Sequence, residues 1–306
     1  MVYEYTGRVA FITGGASGAG FGQAQVFGRA GCRIVIADVR QEALDRALRQ
    51  LRDEGIEAHA IRLDISDREA YALAGDEVEA VYGEAPSFLF NTAGVNSFGP
   101  LETATYSDFD WIFGVNLFGV INGIQTFLPR MIAAGKGGHI VSVASMGGFE
   151  GSPSAGIYCA TKAAVINLME SYALTLPKFG IGVSVLSPAS IRSNIADAQD
   201  TRPAHLAIDS GFNSDQELIE LQRRLYAGGM DPQVLAEHVK AGMESGALHI
   251  LPFPETKPGL AAHFQTVLDS YVDSDIDPEG AAERARAFVE YQAASRILHA
   301  NRAVSK

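Results

Sequence analysis

Six times along the first two-thirds of the chain, a short apolar run alternates with a stretch of helical spacing. The runs are Arg8 to Thr13, Arg33 to Ala37, Ala58 to Leu63, Ser87 to Phe90, His139 to Ser142 and Gly182 to Leu186. They are apolar along their length instead of at every second residue, as strands buried on both faces are. Helical stretches separate them: Gly20 to Ala30, Gln41 to Glu54, Arg68 to Tyr82, Tyr106 to Ala134 and Ile157 to Pro177. In the second of these Leu44, Leu48 and Leu51 share one face. Such alternation predicts an α/β fold, a parallel sheet covered by helices on both faces.

After Pro188 the rhythm changes. Residues 190 to 229 are polar and mixed, with Gly211, Gly228 and Gly229, and read as loops plus a helix near Asp215 to Tyr226. Pro232 to Ser245 reads as a helix with Pro in its first turn, and Leu248 to Leu251 as a last strand. Pro258 to Tyr271 and Glu279 to Asn301 read as two more helices, separated by an acidic turn, Asp273 to Asp277. Of 306 residues 47% are hydrophobic, enough for a real core. The formal net charge is −12 and no basic run stands out, which excludes a nucleic-acid backbone as a partner.

Trp111 to Pro129 carries no charge and has the length of a membrane span. It also holds Asn116, Asn122, Gln125 and three glycines, and Asp108, Asp110 and Arg130 flank it, so it reads as a buried helix of a soluble protein. The start, Met1-Val-Tyr-Glu-Tyr-Thr, lacks a basic and then apolar leader. Cys32 and Cys159 are too far apart for metal-ligand spacing or a disulfide framework. A cytoplasmic protein with no membrane partner and no metal is therefore expected.

Chemistry concentrates at five places. The turn Thr13-Gly14-Gly15-Ala16-Ser17-Gly18-Ala19-Gly20 joins the first strand to the first helix. Glycines there let the backbone approach a pyrophosphate, which then sits at the positive helix N-terminus, although a plain tight turn has the same composition. Asp38 closes the second strand, 18 residues after Gly20. A carboxylate there binds both ribose hydroxyls and repels a 2′-phosphate, favouring NAD over NADP; Arg40, just beyond, is the dissenting residue. Tyr158 and Lys162 lie four apart on one helix face. A tyrosine of pKa about 10 is a poor base, and lowering it by about 3 units needs roughly 4 kcal/mol, within reach of two nearby positive charges. A solvated surface pair has the same spacing. Ser145 follows the fifth strand, 13 residues before Tyr158, and would point into the crevice at the strands' carboxyl ends. Asn116, in the uncharged helix, is the fourth polar candidate; it also reads as a satisfied core amide.

In that order these pieces resemble the short-chain dehydrogenase/reductase family. They are Thr13-Gly14-x-x-x-Gly18-x-Gly20, Asp38, Asp64, Asn91-Thr-Ala93-Gly94, Asn116, Ser145, Tyr158-x-x-x-Lys162 and Pro188, spread over about residues 7 to 190. The resemblance implies a Rossmann-type doubly wound sheet with NAD. It implies Tyr158 as general acid/base, Ser145 holding the substrate oxygen, Lys162 binding the nicotinamide ribose and tuning Tyr158, and Asn116 holding a relay water. Asp64 and Ile65 would flank the adenine, and Asn91, Ala93 and Gly94 would line the cofactor floor. Ser17, Ala19, Ile191 and Ser193 would complete the cofactor site. Two departures stand out: Pro188-Ala189 replaces the usual Pro-Gly, and Ser193 replaces the Thr that often touches the carboxamide.

Near the reacting groups lie Met146, Phe149, Ile157 and Cys159, with Phe98 and Ile191 expected to face the cleft; of these Met146, Phe149 and Phe98 are the expected substrate contacts beside Ser145. Apolar walls with few charges suit a bulky apolar or aryl alcohol or ketone. The segments Asn91 to Pro100, Phe109-Asp-Trp-Ile112, Ser187 to Ala196 and Leu251-Pro-Phe-Pro-Glu255 resemble the NAD-dependent Cα-dehydrogenases of lignin-type β-aryl ethers. That resemblance implies oxidation of a benzylic secondary alcohol to an aryl ketone. A broad carbonyl reductase for bulky ketones and a non-catalytic dinucleotide-sensing protein are the alternatives. The expected organisation is one domain over 1–306: a cofactor-binding and catalytic core at 1–190, a substrate lid at 190–230 and a C-terminal helical extension at 254–306. A homodimer or homotetramer is expected, since the family pairs the helices at 106–134 and 157–177 between subunits.

Overall fold

The computed structural model describes residues 3–212, 216–272 and 277–301. Asp215 and most of the acidic Asp273 to Asp277 turn therefore lie outside the described residues, as do Met1 and Val2. The chain divides into two compact units after Pro254.

The first unit runs β1 (Val9–Thr13), α1 (Gly18–Arg29), β2 (Arg33–Asp38), α2 (Gln41–Asp53), β3 (Ala58–Arg62), α3 (Arg68–Tyr82) and β4 (Phe88–Asn91). It continues with α4 (Tyr106–Phe113), α5 (Gly119–Ala134), β5 (Gly138–Val143), α6 (Gly156–Thr175) and β6 (Ile181–Leu186). It ends with α7 (Ala204–Ala207), α8 (Gln216–Ala227), α9 (Pro232–Ser245) and β7 (His249–Ile250). The second unit contains α10 (Lys257–Asp269) and α11 (Pro278–Asn301).

The seven strands form one parallel sheet in the order β3-β2-β1-β4-β5-β6-β7. The doubly wound fold read from the alternation is thus present, and the expected last strand shortens to two residues. Strands β1, β4, β5 and β6 are buried at every position, which is why their sequences do not alternate. On one face Tyr71 and Val78 of α3, Ile124 and Phe127 of α5 and Val165 and Met169 of α6 close the core. On the other, Phe27 of α1, Leu44 and Leu51 of α2 and Leu235 and Val239 of α9 do so. Strand order reverses between β1 and β4, so the crevice beyond their carboxyl ends is where a doubly wound sheet receives a ligand.

The apolar stretch 106–134 is not one regular helix. A π-helical turn, Gly114–Phe118, separates α4 from α5. Val120, Ile124, Phe127 and Met131 enter the core, so one face of this apolar helix is buried against the sheet.

At the root of β5 a buried chain of hydrogen bonds ties three elements together. The Tyr3 hydroxyl donates to His139 Nδ1 (2.7 Å), His139 Nε2 donates to Ser184 Oγ (2.9 Å), and Ser184 donates to the Ala247 carbonyl (2.6 Å). Ser184 has only one proton, so its bond to Ala247 fixes the imidazole tautomer. Burial pushes His139 down to about 3.

Candidate active site

The glycine turn is built by close approach. Gly14 has φ +64°, and a Cβ there would lie 2.9 Å from the Ala93 Cα. A Cβ at Gly20 would lie 2.3 Å from the Gly14 carbonyl oxygen. Thr13 stitches this turn to the loop after β4: its Oγ1 accepts from the Thr92 and Ala93 amides (2.9 and 3.1 Å). Ser17 begins α1 without capping it. Its Oγ accepts from Arg40 Nη2 instead (2.9 Å), so no Ser17 side-chain cap competes for the first-turn N–H groups. This is a cradle for an anionic group.

Asp38 is buried at the end of β2. Its Oδ1 accepts from the Arg40 amide and Nε (3.1 and 3.0 Å), and its Oδ2 from Arg40 Nη2 (3.0 Å). Arg40 is thereby committed to Asp38 and Ser17, which answers the dissent it raised in the sequence. Oδ2 keeps a lone pair for a ribose hydroxyl. The turn, the uncapped helix and this carboxylate fit NAD.

One cavity of about 510 Å³ joins these groups to the reacting ones. Its adenosine end is walled by Asp38, Asp64 and Ile65, and its middle by Gly14, Ser17, Gly18, Ala19, Ala93 and Gly94. Ser145, Tyr158 and Lys162 line it beyond these, with Pro188, Ile191 and Ser193. A Cβ on Gly18 would meet the Ser193 Cβ at 3.1 Å, so the segment after β6 lies on the glycine turn. Among the described residues only glycines have positive φ. Ala189 therefore sits in an ordinary conformation, and replacing the family's Gly there strains nothing.

Thr13, Gly20, Asn91 and Asn116 lie behind the cavity wall. Asn91 Nδ2 donates to Ser142 Oγ (3.1 Å), coupling β4 to β5. Asn116, in the π-helical turn, accepts from the Val95 amide (2.8 Å) and donates to the Val95 carbonyl (2.9 Å) and Thr161 Oγ1 (3.3 Å). Its side chain thus fixes the loop after β4, and a Cβ on Gly94 would fall 3.4 Å from both Asn116 Oδ1 and Lys162 Nζ.

Lys162 Nζ donates to the Val143 carbonyl (2.8 Å) and sits 5.5 Å from the Tyr158 ring centroid. Burial lowers Lys162 to about 8. Burial also raises the Tyr158 hydroxyl above its ordinary range, and a hydrogen bond with Ser145 opposes this. Burial is the largest influence on both groups, and it disfavours the charged form of each.

Of Ser145, Met146, Phe149 and Phe98, only Ser145 lines the cavity. Met146 starts a short 3₁₀ turn, and its amide donates to the Pro188 carbonyl (3.0 Å). Phe149 packs on the sheet core with its ring 6.4 Å from that of His249, and Phe98 is half-buried in the loop after β4. Val95, Trp111, Ala198, Leu206 and Tyr226 form the cavity's apolar wall. Trp111 is the chain's only tryptophan, which was the one signal available for it. Leu206 and Tyr226 lie in a segment with no strong periodicity, and nothing in their spacing marks them.

The short chain dehydrogenase family pattern matches residues 8–204. A Cα-dehydrogenase of Sphingobium sp. (strain NBRC 103272 / SYK-6) is 58% identical over 288 residues, 94% of each chain. The crystal structure of the apo form of LigD from Sphingobium sp. strain SYK-6 superposes with a TM-score of 0.75 at 54% identity, covering 88% of this chain and all of that one. A short chain dehydrogenase/reductase from Burkholderia phymatum in complex with NAD gives a TM-score of 0.83 at 32% identity, over 90% of this chain and 100% of that one.

Proposed function

The chain belongs to the short chain dehydrogenase family, and on that premise we propose that it is an NAD-dependent oxidoreductase. Its substrate is a bulky benzylic secondary alcohol of the β-aryl-ether, lignin type, which it oxidises to the aryl ketone. The observation that carries this reading is a continuous cavity that runs from Asp38 and the glycine turn, past Ser145 and Tyr158, to a wall containing Trp111, Leu206 and Tyr226. Aromatic and aliphatic walls suit an aryl group. The identity to a Cα-dehydrogenase over 94% of the chain supports the same substrate class.

NAD, held by the glycine turn and Asp38, supplies the acceptor for the two electrons and hydrogen leaving the carbinol carbon. Ser145 donates a hydrogen bond to the substrate oxygen and orients it. Tyr158 takes the hydroxyl proton as general base. Lys162, at about 8, is mostly charged at neutral pH and favours the phenolate over the phenol. Asn116, through Val95, keeps the loop after β4 in register with Lys162. Reduction of a ketone runs through the same groups in reverse, so a carbonyl reductase for bulky ketones shares this machinery.

A cytoplasmic setting is supported by Cys32 and Cys159, both buried and unpaired. A homodimer or homotetramer is supported by the exposed apolar side chains Phe109, Phe118 and Leu174 on α4 to α6 and the turn between them. A substrate lid within 190–230 is supported by Ile195, Thr201, Leu206 and Tyr226, which line the cavity.

The test is a scan of aryl and aliphatic secondary alcohols with NAD and NADP, read by reduced-nicotinamide absorbance, on the wild type and Tyr158→Phe. Turnover of β-aryl-ether alcohols with NAD, falling roughly 10²- to 10⁴-fold in Tyr158→Phe with NAD binding retained, is expected. Silence on every such alcohol alongside activity on small aliphatic ones overturns the substrate. Full turnover by Tyr158→Phe overturns the mechanism, and a protein that binds NAD and turns over nothing is the sensor.

A further inference from the structure

The substrate end of the cavity is covered by residues 195–212, and a single buried ion pair fastens that cover to α4. Arg202 and Asp108 are both almost wholly buried, and Arg202 Nη1 donates to Asp108 Oδ1 at 2.8 Å. Asp108 is the hub. Its Oδ1 also accepts from Ser210 Oγ (2.7 Å), and its Oδ2 from the Thr105 amide (2.9 Å) and the Gly211 amide (2.9 Å). Asp108 and Trp111 are three residues apart, so the carboxylate and the indole share a face of α4. The Arg202 guanidinium lies over the indole, 5.1 Å from its centroid.

The residues on either side of Arg202, Thr201 and Pro203, line the cavity, and so does Trp111. Arg202 therefore lies one layer behind the substrate wall. Downstream, the cover presses on the backbone of the α4 entry: a Cβ on Gly211 would fall 1.6 Å from the Thr103 carbonyl oxygen. Phe212 is buried in a small core of its own with Trp111, Val95 and Ala198.

We infer that Arg202 is a positioning residue for the substrate: paired with Asp108, it holds the 195–212 cover shut and seats Trp111 as the wall against which the substrate's aryl ring lies. This rests on the aryl-alcohol reading above. Stability alone is a poor account of the pair. Buried ion pairs are often no better than apolar packing of the same volume. Moreover Arg202 Nε and Nη2 are buried with no acceptor among the described residues, a penalty that a purely structural site avoids by being apolar. What the arrangement does deliver is direction: one fork prong on the carboxylate and a planar face on the indole fix the ring that faces the cavity.

The experiment compares wild type, Arg202→Met, Arg202→Lys and Ser210→Ala. With saturating NAD, KM and kcat are measured for a β-aryl-ether alcohol and for a small aliphatic secondary alcohol. NAD affinity is measured by titration, and cleavage within 195–212 by thermolysin digestion of the free enzyme. In Arg202→Met the aryl-alcohol KM rises about tenfold, kcat moves less than about threefold, and the small alcohol and NAD move less than about twofold. Thermolysin cleaves the cover about tenfold faster; Arg202→Lys, which keeps the charge but not the planar face, recovers most of the cleavage resistance and only part of the KM effect. Ser210→Ala, which removes one hydrogen bond from the hub, shows the same pattern at about two- to threefold and decides the matter if Arg202→Met does not fold. Unchanged aryl-alcohol KM and unchanged cleavage overturn the inference. So does an equal loss for both alcohols and NAD, which marks a merely structural pair. A wild type silent on aryl alcohols, with the thermolysin pattern intact, overturns the substrate reading and leaves the fastening role standing.

Discussion

Acid destabilises this chain through a buried histidine. His139 is 1% exposed at the start of β5, and burial holds it at about 3 against an ordinary 6.5. Between those values the unfolded chain binds a proton that the folded chain refuses. The folded pKa is the depressed one, so the stabilisation is complete above pH 6.5 and is lost as pH falls toward 3. Each pH unit in that window removes about 1.4 kcal/mol, or about 3 kcal/mol between pH 6.5 and 4. That is a large share of a typical domain's stability of about 5–15 kcal/mol. The contrast is His139→Gln, which does not titrate and keeps a donor near Nε2 for Ser184. Urea unfolding followed by far-UV circular dichroism at pH 7, 6, 5 and 4 gives the difference between the two proteins at each pH. Other titrating groups cancel in that difference. The variant starts less stable, because a Gln does not reproduce the Tyr3 bond, and the gap narrows by about 1.4 kcal/mol per unit below pH 6.5. A gap that stays constant from pH 7 to 4 refutes the reasoning.

Gly20→Ala puts a methyl 2.3 Å from the Gly14 carbonyl oxygen. NAD affinity measured by titration falls at least about tenfold, with a lower melting temperature. Arg40→Ala uncovers the Asp38 carboxylate, so the ratio of kcat/KM for NAD over NADP rises by about fivefold, the worth of one partly exposed contact of ~1 kcal/mol. For Lys162, depressed to about 8 in the fold against 10.5, the unfolded chain holds the extra proton between those values. Wild-type stability therefore rises with pH from 8 toward 10.5, by up to about 1.4 kcal/mol per unit, and chemical denaturation of Lys162→Met lacks that rise.

The cofactor end was legible because each of its residues is fixed by a local rule. A buried parallel strand must end, turn and feed a helix, and Gly14, Ser17, Gly20 and Asp38 are what that turn requires of a chain that binds a dinucleotide. Ser145, Tyr158 and Lys162 likewise follow from the end of β5 and one helical repeat. The substrate wall obeys no such rule. Trp111, Leu206 and Tyr226 come from three segments that meet only through tertiary packing, whereas Met146 and Phe149 were chosen by proximity in sequence and are not among the residues lining the cavity. Spacing likewise leaves the environment of Tyr158 and Lys162 undetermined. Spacing reports that two groups are close, whereas burial, which sets the sign of both shifts, is a property of the assembled core. The break in the helix at 114–118 has no composition signal at all, since Gly, Val, Asn, Leu and Phe serve a regular helix and a π turn alike.

That break has an effect on how the protein can change. A regular helix advances about 100° per residue, so a single extra residue turns everything after it by roughly a quarter revolution relative to what comes before. Trp111 looks into the cavity from one side of the break, while Val120, Ile124 and Phe127 meet the sheet from the other. In an unbroken helix these two faces would be locked in phase, and any residue inserted or lost near Trp111 would rotate the core contacts with it. The π turn acts as a phase adjuster. It sets the angle between the cavity wall at Trp111 and the half that packs on the sheet.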